Sequence, residues 1–268
     1  MNIVLVHGIL GFSREAGVDY FRGVAEHFRE KGLRVLVPAL DPTHGIALRG
    51  TQLRDQITAA FNAGTLDRSL PTHLIAHSMG GLDSRFMLSP ANPDRIAVPI
   101  RSLTTISTPH QGSPIADLLD HPADLIPFPH LPFSGVANPL EAALKKLGIS
   151  LDGLRNLTSE YCQRVFNPTY VNAPQVSYYS VAGSGRTTFP QTAALLFLFH
   201  QYITARTGEA NDGLVTTTSA QWGTFEGNFW STDHAEEIGY DLDNLLIPPG
   251  FPYLAKYDQL LANIARLV

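Results

Sequence analysis

The chain has 268 residues, 44% apolar and 16% charged, which suits one soluble domain with a sizeable buried core. Its formal charge of -5, from 24 acidic and 19 basic side chains, comes without a Lys/Arg cluster, which argues against a nucleic-acid partner. A single cysteine, Cys162, excludes an intrachain disulfide and reads as a packed thiol.

Met1 leads straight into the apolar "NIVLV", without the basic start, apolar stretch and cleavage site of a signal peptide. The expectation is a cytoplasmic protein, or one secreted without a cleavable signal. The longest purely apolar run, Ala193 to Phe199, falls far short of the roughly 20 residues that cross a bilayer, so no transmembrane segment is expected.

Strands at 3–6, 34–39, 73–76 and 102–107 alternate with amphipathic helices near 17–31, 49–63 and 80–89. This is the rhythm of βαβ units, and strands apolar almost throughout are those covered by helices on both faces. The fold class is α/β, a mostly parallel, doubly wound sheet. From about 113 to 175 the rhythm breaks. Four prolines lie between Pro122 and Pro132, and Leu140, Leu144, Leu147, Leu151 and Leu154 then recur at helical intervals. The segment 113–175 reads as a helical cap or lid inserted into a single domain, 1–268; a plain pair of crossover helices is the alternative. Strand signals return at 175–183 and weakly at 213–220, and the chain closes in a helix.

The stretch "LIAHSMGG" (74–81) runs a strand into a helix across Ser78. A serine on such a turn needs small neighbours two positions either side, and Ala76 and Gly80 supply them. It also lies at a helix N-terminus, where unpaired N–H groups favour an oxyanion. A serine hydroxyl is a poor nucleophile until an imidazole removes its proton and a carboxylate orients that imidazole. "EANDGLV" (209–215) and "STDHAEEIG" (231–239) offer Asp212 and His234 in the order Ser, acid, His, with Asp241 or Asp243 as fallback acids. In "VLVHGILGF" (4–12) a strand ends in His-Gly before a turn. The backbone N–H groups of Ile9 and Met79 are the expected oxyanion donors. His7 is expected to shape its loop by hydrogen bonding, His77 to point away from Ser78, and His200 to be a hydrogen-bonded core or cap histidine.

Together "VLVHGILGF", "RGTQL", "AHSMGGLDSRF", "TTISTPHQGSPIADLL", "NDGLV" and "DHAEEI" resemble the bacterial triacylglycerol lipases of the Pseudomonas, Burkholderia and Proteus type, with an elbow similar to that of the Bacillus lipases. The resemblance implies an α/β-hydrolase fold, with Ser78 as nucleophile, Asp212 as acid and His234 as base. It implies that Arg49 ties down the oxyanion loop, and that Asp83 and Arg85 are helix-surface residues without a chemical role. Secreted relatives bind structural calcium through two aspartates; here Glu236 stands at the second position and Pro190 at the first, so no metal is expected and Glu236 is a weak calcium candidate. No organic cofactor is needed. The expected partner is an ester or lipid substrate, at a lipid–water interface, with medium or long acyl chains favoured by the apolar 113–160 segment and by the Met79 side chain in an acyl pocket. The same triad serves polyester depolymerases and acyltransferases, and a non-catalytic binding protein is the rival of another class.

Overall fold

The computed structural model describes residues 1–9, 19–119, 150–185, 192–227 and 230–266. Six strands, β1 (Asn2–Val6), β2 (Arg34–Leu36), β3 (Thr72–His77), β4 (Ser102–Ile106), β5 (Ser177–Val181) and β6 (Thr224–Phe225), form one sheet in the order β2-β1-β3-β4-β5-β6. Every pairing is parallel, with β3 central: Val6 lies opposite Ala76, and His77 opposite Ile106.

Five longer helices cover the sheet: α1 (Val24–Glu30), α2 (Ile46–Asn62), α3 (Met79–Leu88), α4 (Ala194–Thr207) and α5 (Tyr253–Ala265). Strand side chains alternate between faces, so one strand feeds two cores. Val4 and Val6 pack with Leu53, Ile57 and Phe61 of α2 and with Met87 of α3. Ile3 and Leu5 pack with Val24 and Phe28 of α1 and with Tyr257, Leu260 and Ile264 of α5. That double coverage is why "NIVLV" is apolar without alternation.

The β/α alternation matches the sequence reading with boundaries shifted by a few residues. Of the helix expected near 17–31, the part up to residue 18 lies outside the described residues. The expected strand at 213–220 is a correction. This stretch is a series of turns whose sole bridge joins Asn211 and Thr216, and the sixth strand follows it. Asp212 draws the Leu214 and Val215 N–H groups onto its own carboxylate, and Gly213 adopts φ 97°, so the backbone turns instead of extending.

Within 113–175, residues 120–149 lie outside the described residues, and with them Pro122 to Pro132 and Leu140, Leu144 and Leu147. The described remainder holds short helical pieces, Asp152–Arg155, Ser159–Tyr161 and Asn167–Thr169, with a π-helical turn Cys162–Phe166 between the last two. Met79, Leu82, Leu157, Cys162 and Phe166 form a third core joining these pieces to α3. The Cys162 thiol is fully buried within it, and burial pushes its pKa up to about 12, as a packed, unreactive thiol requires. Among the described residues no helix is long and apolar enough to cross a membrane.

Candidate active site

Ser78 sits between the C-terminal end of β3 and the first residue of α3, with φ 56° and ψ -133°, a conformation a non-glycine residue adopts only when its surroundings impose it. They do so through two bonds: the Ser78 N–H donates to the Ile106 carbonyl at 2.9 Å, and the Thr108 hydroxyl donates to the Ser78 carbonyl at 2.7 Å. Glycines let the neighbouring chain close in. A Cβ on Gly80 would lie 2.5 Å from the Val6 carbonyl oxygen, and one on Gly8 only 2.7 Å from the Ser78 Cβ. Ala76, fully buried in β3, takes the position two before the serine without disturbing the turn.

Asp212 and His234 meet as the sequence reading expected. His234 Nδ1 lies 2.7 Å from Asp212 Oδ2, and the His234 N–H donates to the Asp212 carbonyl at 3.0 Å. The other carboxylate oxygen, Oδ1, accepts the Leu214 and Val215 N–H groups at 2.9 and 2.8 Å. Asp212 is fully buried and His234 nearly so, with 7% of its surface exposed. Such a carboxylate is fixed in place and holds Nδ1 protonated, leaving Nε2 as the acceptor of a proton. His200 is a buried histidine whose Nδ1 donates to the Asn211 carbonyl at 3.0 Å, so it buttresses the acid's loop.

The loop after β1 is tied from two sides. His7 Nε2 accepts the Leu40 N–H at 2.9 Å while Nδ1 donates to the Gly8 carbonyl at 2.9 Å, and burial with the nearby Arg49 charge lowers the ring's pKa to about 4. Arg49 reaches the carbonyls of His7 at 2.8 Å and Gly8 at 3.2 Å through Nη2, and that of Asp41 through Nη1. Among the described residues neither the Ile9 nor the Met79 N–H donates to a protein group.

Three expectations are corrected. Asp83 and Arg85 are buried, not surface residues, because α3 lies under both α2 and the 159–170 pieces. Asp83 Oδ2 receives Arg49 Nε and Nη2, both at 2.8 Å, and burial nevertheless raises its pKa to about 6. The Arg85 guanidinium stacks 3.5 Å above the Trp222 ring and donates to Asn167 Oδ1 at 2.9 Å; burial lowers its pKa to about 9. The Met79 side chain is wholly buried against Ile46, Leu82 and Phe166, so it fills the core beneath the elbow and lines no open pocket.

Sequence reasoning missed a second buried network. Glu237 Oε2 lies 2.9 Å from His77 Nε2, Oε1 accepts the Ser107 hydroxyl at 2.6 Å, and the Tyr20 hydroxyl lies 2.7 Å from His77 Nδ1. His77 thus turns away from Ser78, as strand alternation requires, and its ring centroid lies 4.4 Å from that of His234 with the planes tilted by 44°. Burial, then the charge of Asp212, raises the Glu237 pKa well above the carboxylate range, while burial, then the charge of His234, lowers that of His77. The signal was present in "DHAEE": an acid three residues past a histidine returns to its side in a tight helical turn, here Glu236–Ile238.

Metal-like spacing among the described residues occurs once, at His77, His234 and Glu237. Glu236 is not part of it. Its Oε2 accepts the Thr232 hydroxyl at 2.5 Å, and the adjacent Asp233 accepts the N–H groups of Ala235, Glu236 and Ala193. Position 190, the other place the resemblance pointed to for a calcium ligand, lies outside the described residues.

No protein-family model matches the chain. Triacylglycerol lipase 2 of Saccharomyces cerevisiae is 33% identical over 225 residues, which are 83% of this chain and 63% of that protein, so the chain spans a little under two thirds of that relative's length. The triacylglycerol lipase of Vibrio cholerae is 29% identical over 260 residues, 88% of this chain and 78% of that protein. That of Pseudomonas fragi is 30% identical over 267 residues, 89% of this chain and 87% of that protein. Among solved structures, a metagenomic carboxyl esterase superposes with a TM-score of 0.75 at 20% identity, over 100% of this chain and 76% of that one. Staphylococcus hyicus lipase gives 0.70 at 19%, over 99% and 95%. The fold is shared with these enzymes, and the chain belongs to the triacylglycerol lipase family, carboxylic ester hydrolases built on the α/β-hydrolase fold.

Proposed function

We propose that the chain hydrolyses acylglycerols with medium or long acyl chains, using Ser78 as nucleophile, His234 as base and Asp212 as acid. Two observations support the reading: Ser78 sits strained, at φ 56°, between β3 and α3, and Asp212 bonds His234 at 2.7 Å. His234 takes the Ser78 proton as the oxygen attacks the ester carbonyl. The oxyanion forms beside the Ile9 and Met79 N–H groups and the N-terminus of α3. His234 then protonates the departing alcohol, and water resolves the acyl-enzyme by the same route. Arg49 serves the reaction at a distance, since the loop carrying Ile9 is held by its bonds to the carbonyls of His7 and Gly8.

The 113–175 segment is the proposed cap, and its apolar composition favours the longer acyl chains. Ser78→Ala should lower hydrolysis of p-nitrophenyl butyrate by at least about 10³-fold with the thermal transition unchanged. Undiminished turnover by this variant overturns the assignment. On a panel from acetate to triolein, a kcat/KM that peaks at acetate overturns the chain-length reading and leaves the triad standing.

A further inference from the structure

The opposite edge of the sheet carries a cavity that the chemistry of Ser78 does not use. Ser78 lies past the C-terminal end of β3, whereas Thr72 at the start of β3 and Arg101 just before β4 line an opening of about 360 Å³. The six residues of β3 hold the two apart by roughly 20 Å, at about 3.3 Å per residue. Phe61 from the last turn of α2, with Leu70, Val98 and Pro99 from the loops before β3 and β4, gives the cavity apolar walls.

The polar part of the lining is cationic. The Arg68 guanidinium lies 5.3 Å from the Phe61 ring centroid and its Nη2 donates to Asn62 Oδ1 at 2.9 Å, so both of its partners are uncharged. Arg101 is held by its backbone, its N–H donating to the Thr72 carbonyl at 2.8 Å and its carbonyl accepting the Ser177 N–H at 3.0 Å. Among the described residues its guanidinium pairs with no carboxylate, and none of the residues lining the cavity is acidic. Asp67, next to Arg68, is engaged elsewhere: Oδ1 takes the Ser69 N–H and hydroxyl at 2.9 and 2.7 Å, and Oδ2 lies 3.9 Å from Arg34. The carbonyls at the C-terminal end of α2, which would repel an anion, are also taken, Ala59 by the Ala63 N–H, Ala60 by that of Leu66 and Phe61 by that of Gly64.

We propose that this cavity is a second, non-catalytic binding site for an amphipathic monocarboxylate, the carboxylate between Arg68 and Arg101 and the alkyl chain against Phe61, Leu70 and Val98. A pair of guanidiniums suits a carboxylate or a phosphate equally. The apolar walls, and a volume in the range of small-molecule sites, select an anion that carries a hydrocarbon chain. The lining alone gives this ligand class. That the protein meets such a ligand rests on the proposed hydrolysis, whose released acid is a carboxylate of this kind. Because the cavity opens at the far edge of the sheet, it fills without obstructing Ser78.

The test titrates sodium decanoate, kept below micelle formation, into the full chain by calorimetry, in the Ser78→Ala background so that binding is read without turnover. Arg68→Gln/Arg101→Gln removes both charges from two exposed positions and leaves polar side chains there. This variant should bind decanoate at least about tenfold more weakly than its parent. Any decanoate held in the acyl site is common to parent and variant, so the difference between them isolates the cavity. Inorganic phosphate, which brings charge without a chain, should bind the parent at least about tenfold more weakly than decanoate does. Equal decanoate affinity in parent and variant overturns the proposal. So does phosphate that binds as tightly as decanoate and loses that affinity with the two arginines. Ester hydrolysis that survives Ser78→Ala strikes the proposed function alone and leaves the binding result standing.

Discussion

The Glu237 carboxylate oxygen Oε2 lies 4.0 Å from His234 Nδ1, on the same nitrogen that Asp212 holds at 2.7 Å. Two buried carboxylates face one imidazole, and their surroundings divide the work. Asp212 Oδ1 takes two backbone N–H groups, which hold the carboxylate in place. Glu237 has the Ser107 hydroxyl and His77 instead, and its pKa is driven up by burial and by the Asp212 charge. Glu237 is thus the carboxyl whose charged form is disfavoured, by burial and by the Asp212 charge beside it.

It follows that Glu237→Gln, a mimic of the protonated acid, leaves kcat/KM within a few-fold near neutral pH. Asp212→Asn removes the charge that keeps Glu237 neutral and lets it ionise beside His234. The Asp212→Asn variant should therefore retain more activity than the loss of about 10⁴ that follows removal of a triad carboxylate, and the double variant should fall the whole way. Equal activity of the single Asp212→Asn and double variants refutes this division.

Two glycines at the elbow separate catalysis from stability. A Cβ at Gly8 meets the Ser78 Cβ at 2.7 Å, the Tyr20 hydroxyl at 2.8 Å and the Ser78 Oγ at 3.1 Å, all of them side-chain atoms. A Cβ at Gly80 meets the backbone carbonyl oxygens of Val6 and His7 at 2.5 and 2.8 Å, and neither can yield without moving β1. Gly8→Ala is expected to lower kcat at least about tenfold by displacing the nucleophile, at modest cost in stability. Gly80→Ala should cost about 1–3 kcal/mol, read by urea denaturation. The opposite ranking in the two measurements contradicts the close approaches.

Arg49 links the sheet's front edge to α3. Arg49 and Asp83 are both fully buried, and three of the arginine's bonds go to backbone carbonyls at the loops of His7 and Asp41. Arg49→Met strands the Asp83 carboxylate and frees the loop, so it should cost about 3–5 kcal/mol and lower kcat more than it raises KM. Arg49→Met/Asp83→Leu removes the buried charge as well. It should recover much of the stability and little of the activity, because the Arg49 bonds to the His7 and Gly8 carbonyls are still missing. Full recovery of kcat in the double variant refutes the loop-holding role.

The sheet and the site were legible to different depths. The strands showed plainly, because burial on both faces leaves an unbroken apolar run, and Ser78, Asp212 and His234 could be singled out as candidates because each stands in a turn with its own grammar. Asp83 and Arg85 did not, since charged residues on a helix ordinarily face water. Their burial depends on which helix sits in the middle of the fold: α3 is covered by α2 on one side and by Phe166 and Trp222 on another. The stretch 213–220 misled for a related reason. Its β-branched residues read as a strand until the Asp212 side chain is seen to claim the N–H groups that a ladder would use. Glu237 lies between these cases, visible in sequence as a second acid but given its place only by β3, β4 and the turn after His234.

Acid sensitivity follows from the way His7 is bonded. Its Nε2 accepts the Leu40 N–H, so a proton there breaks that bond and sets a second positive charge near Arg49. Burial is the larger cause and Arg49 the next in lowering the pKa from 6.5 to about 4. A histidine held neutral in the folded state contributes stability that is present above its unfolded pKa and lost as pH falls through the folded one. The window is therefore pH 6.5 down to about 4, with a loss on the order of 3 kcal/mol from this group. Asp83 acts in the opposite sense, because a carboxyl raised to about 6 makes the folded state more stable once it is protonated. A comparison of total stabilities would mix the two, whereas the difference between wild type and His7→Gln isolates the ring. Urea midpoints measured from pH 7.5 to 4 should fall less steeply in His7→Gln, the two curves converging toward acid pH by about 3 kcal/mol. Parallel curves would show that His7 is not the group whose protonation loosens the loop after β1.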